Sequence, residues 1–178
     1  MTNGQEQAAS QPYLLRVENL TKAFSGVEVL KNLSVGIRAG EIMGVIGENG
    51  AGKSTFMKLI SGVYAPTRGQ IYFDEKPVRI LNTIAAQRLG IAMIPQEFNL
   101  IDTLRVYENI FLGRELRRGG VLDRSRMIEE SRRLFATLLT DVSPDAQVSD
   151  LSVAQKQMVE IAKAVSQESR ILIMDEPT

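Results

Sequence analysis

Within the nine consecutive residues Gly47, Glu48, Asn49, Gly50, Ala51, Gly52, Lys53, Ser54 and Thr55, the first eight satisfy the spacing G-x-x-x-x-G-K-[ST] at every fixed position. The chemistry that calls for this arrangement is polyphosphate binding. A phosphate chain needs many hydrogen-bond donors in a small volume, and successive backbone N–H groups in a tight loop supply them. Gly50 and Gly52 let the backbone approach closely. A helix opening directly after the loop favours the anion at its N-terminus. Lys53 has the reach for the β- and γ-phosphates, and the Ser54 hydroxyl is a hard oxygen ligand for Mg²⁺. The bland alternative is a glycine-rich turn that binds nothing, and the flanking pattern argues against it: apolar residues run up to Ile46 and helical spacing begins near Lys53.

A second constellation lies at the other end of the chain. The stretch ILIMDE brings four apolar residues straight into Asp175 and Glu176. In nucleotide hydrolases an Asp at the end of a buried strand holds Mg²⁺, usually through water, and a following Glu polarises the attacking water. Alone, two neighbouring carboxylates could equally be surface charge. Beside a phosphate loop they read as a metal ligand and a base.

Composition narrows the remaining options. The chain has 178 residues, 44% apolar and 24% charged, which is ordinary for one globular domain with a real core. Lys plus Arg and Asp plus Glu are 21 each. That balance carries no electrostatic footprint for nucleic acid or anionic lipid. There is no Cys and no His, so disulfides, thiolate metal sites and the commonest general base are all excluded. The opening residues 1–12 are polar and read as a mobile tail rather than a signal peptide. No apolar run approaches the roughly 20 residues that span a bilayer. A membrane role would need another chain to supply the membrane part.

The elements that must position these residues follow from periodicity. YLLRVENL and VLKNLSVGI alternate as half-buried antiparallel strands do. EIMGVIG is continuous in apolar character and reads as a fully buried strand leading into the phosphate loop. KSTFMKLISG has helical spacing at Phe56, Leu59 and Ile60, with Gly62 to end it. QIYFD is a short strand after a turn at APTRG, NTIAAQRLG a helix closed by Gly90, and IAMIP a buried strand that delivers Gln96. From Gln96 helical signals take over, in TLRVYENIFLGREL and, after a Gly119–Gly120 loop, in SRMIEESRRLFATLL. The charges of the latter lie opposite Met127, Leu134 and Leu138. LSVAQKQMVEIAKAVSQ is a third helix with Ser152 at its N-cap. Alternating strands and helices argue for an α/β fold with a parallel sheet and a helical block inserted after Gln96.

Taken in order, GENGAGKST, IPQEFNL, LSVAQKQ and ILIMDEPT resemble the ATP-binding cassette of ABC transporters, over Tyr13 to Thr178. The wording around them, VENLTKAFSGVEVLKNLS, ENIFLGRE and QMVEIAKA, is similar to the ATPases of bacterial monosaccharide importers of the ribose, galactose, arabinose and xylose type. The resemblance implies a P-loop NTPase of the ABC type. Its β and nucleotide-binding core, a parallel sheet with an antiparallel β subdomain, would be built from residues 13–95 and 160–178, and an inserted helical subdomain would span about 96–159. It implies ATP and Mg²⁺ as ligands. Phe24 would stack on adenine, where the plain alternative is an ordinary apolar contact. Gly47 to Thr55 would wrap the phosphates. Ser54, Gln96 and Asp175 would surround the metal, with Gln96 also sensing the membrane partner. Lys53, Gln96 and Glu176 would serve catalysis. Ser152 and Gln155, in the signature motif, would complete the nucleotide site of a second cassette.

The same resemblance implies partners and a place: transmembrane permease subunits, a second cassette in a dimer or in tandem, and, indirectly, a periplasmic sugar-binding protein, at the cytoplasmic face of the bacterial inner membrane. Two departures qualify it. The family signature is usually L-S-G-G-Q, whereas Val153 and Ala154 stand here in place of both glycines. The family also continues past D-E-P-T to a further Asp and a strand ending in His, so the sequence reads as a cassette incomplete at its C-terminus. Its sheet would then pair Ile91–Pro95 in parallel with Ile171–Asp175, and keep Gly44–Ile46 out of direct pairing with Leu172–Met174. Competing expectations are a nucleotide-binding fragment without useful turnover and an importer cassette for another small solute. A chromosome-organising cassette would need a heptad coiled coil between Gln96 and Leu151, which is absent. A translation-associated cassette is disfavoured by the neutral charge.

Overall fold

The computed structural model describes residues 11–175. Most of the expected polar tail, and Glu176, lie outside the described residues. The chain divides into two units, residues 1–89 and 90–178.

The first unit is built on a four-stranded antiparallel sheet. Its strands are β1 (Tyr13–Phe24), β2 (Val27–Arg38), β3 (Arg68–Phe73) and β4 (Lys76–Val78), in the order β2-β1-β3-β4. The loose alternation of β1 has a local cause. The register against both neighbours shifts around Asn19, which sits at φ +48. A bulge inserts an extra residue and flips the inward-facing set. Leu15 and Val17 are buried before it, Leu20 and Thr21 after it. Between β2 and β3 runs α1 (Lys53–Ile60), which buries Phe56, Leu59 and Ile60, the three positions its spacing marks. α2 (Thr83–Arg88) is capped by the Asn82 side chain, which accepts from the Ala85 N–H at 2.8 Å.

One strand expectation fails here. Residues 41–48 form no strand, and Ile42 and Ile46 are 99% and 97% exposed. Continuous apolar character marks a segment suited to cover on both faces. A strand exists only where neighbouring chains saturate its backbone donors and acceptors. Among the described residues no ladder reaches this segment.

In the second unit β5 (Ile91–Ile94) pairs in parallel with β8 (Ile171–Met174), in the register Ile91↔Ile171 through Ile94↔Met174. This is the pairing expected from sequence. The inserted segment is helical, but less so than its periodicity suggests. TLRVYENIFLGREL yields only α3 (Val106–Ile110), and a two-strand hairpin, β6 (Arg117–Arg118) with β7 (Val121–Leu122), forms around Gly119–Gly120. α4 (Arg124–Thr137) buries Met127, Ser131 and Phe135, while Leu134 and Leu138 are only half-buried. Leu134 and Leu138 pack against the same cluster, so the face marked by Met127, Leu134 and Leu138 is the one turned inward, and Ser131 is accommodated at its centre by donating its hydroxyl to the Met127 carbonyl at 2.8 Å. α5 (Val153–Val165) serves two cores. Val159 and Ala162 join α3, α4 and Val148 in one apolar cluster, and Ala164 packs with Ala92 and Ile94 of the sheet.

Candidate nucleotide site

In the first unit the residues from Gly47 to Thr55 form a tight loop that runs into α1. The Ala51 N–H donates to the Glu48 carbonyl at 3.1 Å, closing a turn, and the Phe56 N–H donates to Gly52 at 2.8 Å, opening the helix. Gly50 and Gly52 stand at φ +84 and +90. At Gly52 the requirement for glycine is double. The left-handed backbone disfavours any side chain, and a Cβ there would lie 3.0 Å from the Val29 carbonyl oxygen and 3.4 Å from Leu30. The first turn of α1 carries no acidic residue, so its positive end is left for an outside anion. The Lys53 ammonium bends back over the loop, donating to the Gly47 and Glu48 carbonyls at 2.8 and 3.0 Å. Glu48, Asn49, Gly50 and Ala51 are exposed, and Ser54 and Thr55 lie half-buried in the first turn. Converging N–H groups, a cation over the loop and a hydroxyl at the helix start fit a magnesium-bound polyphosphate chemically.

Phe24 ends β1 with 38% of its surface exposed. It is not loose. Tyr64 meets it edge-on at 5.1 Å, and the Lys22 ammonium lies 4.9 Å from its ring centre. Lys22 is itself tied to the Ala65 carbonyl at 2.9 Å. An exposed ring fixed by an aromatic edge and a cation suits stacking on a flat ligand better than core packing.

The second unit brings two more candidates to one sheet end. Because β5 and β8 are parallel neighbours, both chains leave at the same edge, Gln96 two residues after Ile94 and Asp175 one after Met174. The Asp175 N–H donates to the Ile94 carbonyl at 3.2 Å, and Asp175 is 9% exposed. Gln96 is exposed. A third feature is the start of α5. Ser152 Oγ accepts from the Gln155 N–H at 3.3 Å, and the Gln155 side chain accepts from the Ser152 N–H at 3.0 Å. This reciprocal capping box fixes the helix terminus. Val153 and Ala154 are exposed on its first turn.

Sequence reasoning missed the residues that hold the segment after Gln96. Asn109, fully buried, accepts from the Ile101 N–H at 2.7 Å and donates to the Ile101 and Arg105 carbonyls at 3.1 and 3.2 Å. Glu160 and Lys163 of α5 bind the backbone of Asn99. The one available signal was Glu160 itself, a charge set inside the apolar run MVEIA. Tyr64 carried no signal, since nothing local links it to Phe24, whereas Lys22 stands two residues before Phe24 and strand spacing puts both on one face. Among the described residues no group of three His, Cys, Asp or Glu converges as a metal site. A magnesium ion held largely by phosphate oxygens and water needs no such group.

Residues 30–178 match the family model described as ABC transporter. A protein of Streptomyces coelicolor named ribose import ATP-binding protein RbsA 2 is 50% identical over 165 residues, 93% of this chain and 32% of its own length. A ribose import ATP-binding protein, RbsA 1, of Rubrobacter xylanophilus is likewise 50% identical over 165 residues, covering 93% and 33%. The chain therefore spans about a third of the length of the curated relatives it matches. A solved ATP-binding cassette of an ABC transporter superposes with a TM-score of 0.81 at 25% identity, over 94% of this chain and 70% of that one. A nucleotide-free cassette from an ABC transporter gives 0.78 at 25% identity, with the same coverage.

Proposed function

We propose, from the premise that this chain belongs to the ABC transporter family and has the fold of its ATP-binding cassettes, that it binds ATP and, within a longer protein, hydrolyses it to energise import of a monosaccharide. The observation that carries the reading is the loop at 47–55, where Gly52 can be nothing larger and Lys53 lies over the backbone that would receive phosphate. The names of the ribose importer relatives support the choice of solute class.

The roles follow from the chemistry of each group. Backbone N–H groups of the loop and the N-terminus of α1 hold the phosphate chain. Lys53 exchanges its two carbonyl partners for phosphate oxygens and offsets charge that grows during in-line attack of water on the γ-phosphate. Phe24 stacks on the base. The oxygens of Ser54, Gln96 and Asp175 are the hard donors that would hold magnesium. When bound, the ion supplies charge neutralisation at the phosphate oxygens. Glu176, which follows Asp175 directly, orients the attacking water and takes its proton. Ser152, with the exposed start of α5, receives the γ-phosphate of a nucleotide held by a second cassette.

The cassette divides into a core of residues 13–95 and 160–178 and a helical subdomain at about 96–159. Within the second unit, α5 packs on the β5–β8 sheet and on the helical cluster, as a helix at the junction of such a core and subdomain would. No helix among the described residues is long and apolar enough to cross a membrane. On the same reading, which the relatives' names as import ATP-binding proteins support, permease subunits supply the passage for solute, with this cassette peripheral on the cytoplasmic face of the bacterial inner membrane and a periplasmic sugar-binding protein acting from the other side.

The deciding experiment measures ATP binding and phosphate release on the same full-length sample. Saturable Mg-ATP binding with release supports the reading. Binding without release reduces the protein to a nucleotide-binding module, which the substituted signature at Val153 and Ala154 would favour. No binding refutes the site.

A further inference from the structure

Nearest Gln96 the loop is held by side chains, and backbone bonds to residues 147–149 take over from Asp102 onward. At Asn99 both backbone groups are taken. The N–H donates to Glu160 Oε1 at 2.6 Å, and the carbonyl accepts from the Lys163 ammonium at 3.1 Å. Two residues on, Asn109 takes both backbone groups of Ile101. One further on, Asp102 accepts from Lys156 at 2.8 Å. Lys156, Glu160 and Lys163 are spaced four and three apart on α5, which puts them on one stripe of the helix.

Glu160 is the unusual member. It is 5% exposed, and burying a carboxylate is costly unless its hydrogen bonds are supplied. An apolar residue would fill the same space without that cost. A backbone N–H cannot be mutated away, so a carboxylate aimed at it holds the loop whatever side chain sits at residue 99. Asn99 is three residues from Gln96, a span of at most about 10 Å of chain. The helix bearing the clamp begins at Ser152.

We propose that Glu160 and Lys163 form a two-point clamp on the Asn99 backbone that makes the Gln96 loop and the Ser152 helix move as one piece. Glu160 is thus a positioning residue for the metal-side amide of Gln96. Its functional consequence rests on the nucleotide reading given above, although the clamp itself does not.

Two measurements on the full-length protein test it, each on Glu160→Ala, Glu160→Gln and Lys163→Met. The first is amide hydrogen exchange. Glu160→Ala should speed exchange at Asn99 about tenfold or more while the α5 amides stay protected. Glu160→Gln, which keeps an acceptor oxygen, should restore most of the protection. The second is ATP affinity with and without Mg²⁺. Glu160→Ala should leave metal-free affinity unchanged and cut the gain on adding Mg²⁺ by roughly tenfold, with rescue by Glu160→Gln. A purely structural role for Glu160 would not move the metal-dependent part alone. Unchanged exchange at Asn99, or an unchanged Mg²⁺ gain in a folded Glu160→Ala protein, overturns the proposal. If Glu160→Ala does not fold, Lys163→Met decides, since it removes only the donor to the Asn99 carbonyl. It should shift both readouts the same way by less, and no shift in either overturns the clamp. A wild-type protein that binds no ATP in any condition would refute the nucleotide reading instead, leaving exchange to judge the clamp.

Discussion

Asp175 hydrogen-bonds through its backbone N–H to the carbonyl of Ile94, 3.2 Å away, one step past the last ladder pair of β5 and β8. That bond carries the parallel register to the end of both strands. The acid and the amide of Gln96 therefore emerge together, although 79 positions separate them in the chain (175 less 96). Two oxygen donors of different charge at one sheet edge suit a hydrated divalent cation.

Asp175→Asn should keep the fold, because the side chains are nearly isosteric and the backbone bond to Ile94 is untouched. Titrating Mg²⁺ into the ATP-bound protein should show metal affinity reduced by about tenfold or more. Metal-free ATP binding should match the parent. Equal metal affinity in the two proteins would remove Asp175 from the site.

Lys53→Ala deletes a charge that would meet phosphate directly. Charge-assisted hydrogen bonds contribute about 1.5–3 kcal/mol each, so the Kd for Mg-ATP should rise roughly tenfold to a hundredfold. Isothermal titration measures this. An unchanged Kd would mean that the loop at 47–55 is not the phosphate site.

Gly52→Ala should harm stability and binding together. A left-handed backbone costs a side chain about 1–2 kcal/mol. The added methyl would also press on the Val29 carbonyl at 3.0 Å, which is backbone and yields poorly. Urea denaturation should show that loss, and ATP binding should fall with it. A stable Gly52→Ala protein with normal binding would contradict the loop geometry.

Glu176→Gln, in the full-length protein, should retain ATP binding and lose hydrolysis by about 10²–10⁴-fold, the usual contribution of a general base. Nucleotide should then accumulate in a cassette dimer, visible by size-exclusion chromatography. Turnover near the parent rate would assign the base elsewhere.

Asn109→Leu should destabilise the second unit more than any surface change. It leaves the Ile101 N–H without its partner, at about 1–3 kcal/mol if that group stays buried, while the Ile101 carbonyl keeps the Leu104 N–H at 3.1 Å. Denaturation midpoints give the loss. Proteolysis should find new cleavage between residues 97 and 105, and its absence would show that Asn109 does not hold that loop.

What the sequence determined by itself is what contiguous residues can build. The phosphate loop needs only the glycines, the lysine and the helix that follow one another from Gly47, and Ser152 with Gln155 closes its capping box within one turn. The strand pairs and helices whose apolar spacing is strong, such as α1 with Phe56, Leu59 and Ile60, were legible for the same reason. Tertiary structure decided the rest. Residues 41–48 read as a buried strand, yet an apolar run reports only suitability for cover, and cover comes from chain that is distant in sequence. On α4 the face marked by Met127, Leu134 and Leu138 is the one that packs on the cluster, but its deepest positions are Met127, Ser131 and Phe135; packing against α3 and α5 selects that centre, and one internal hydrogen bond makes a serine acceptable there. Glu160 stands in the sequence as a charge inside the apolar run MVEIA, with no partner indicated. Only the fold sets it 2.6 Å from an N–H that lies 61 residues earlier, and hydrogen bonding depends on that distance in space, which no local pattern encodes.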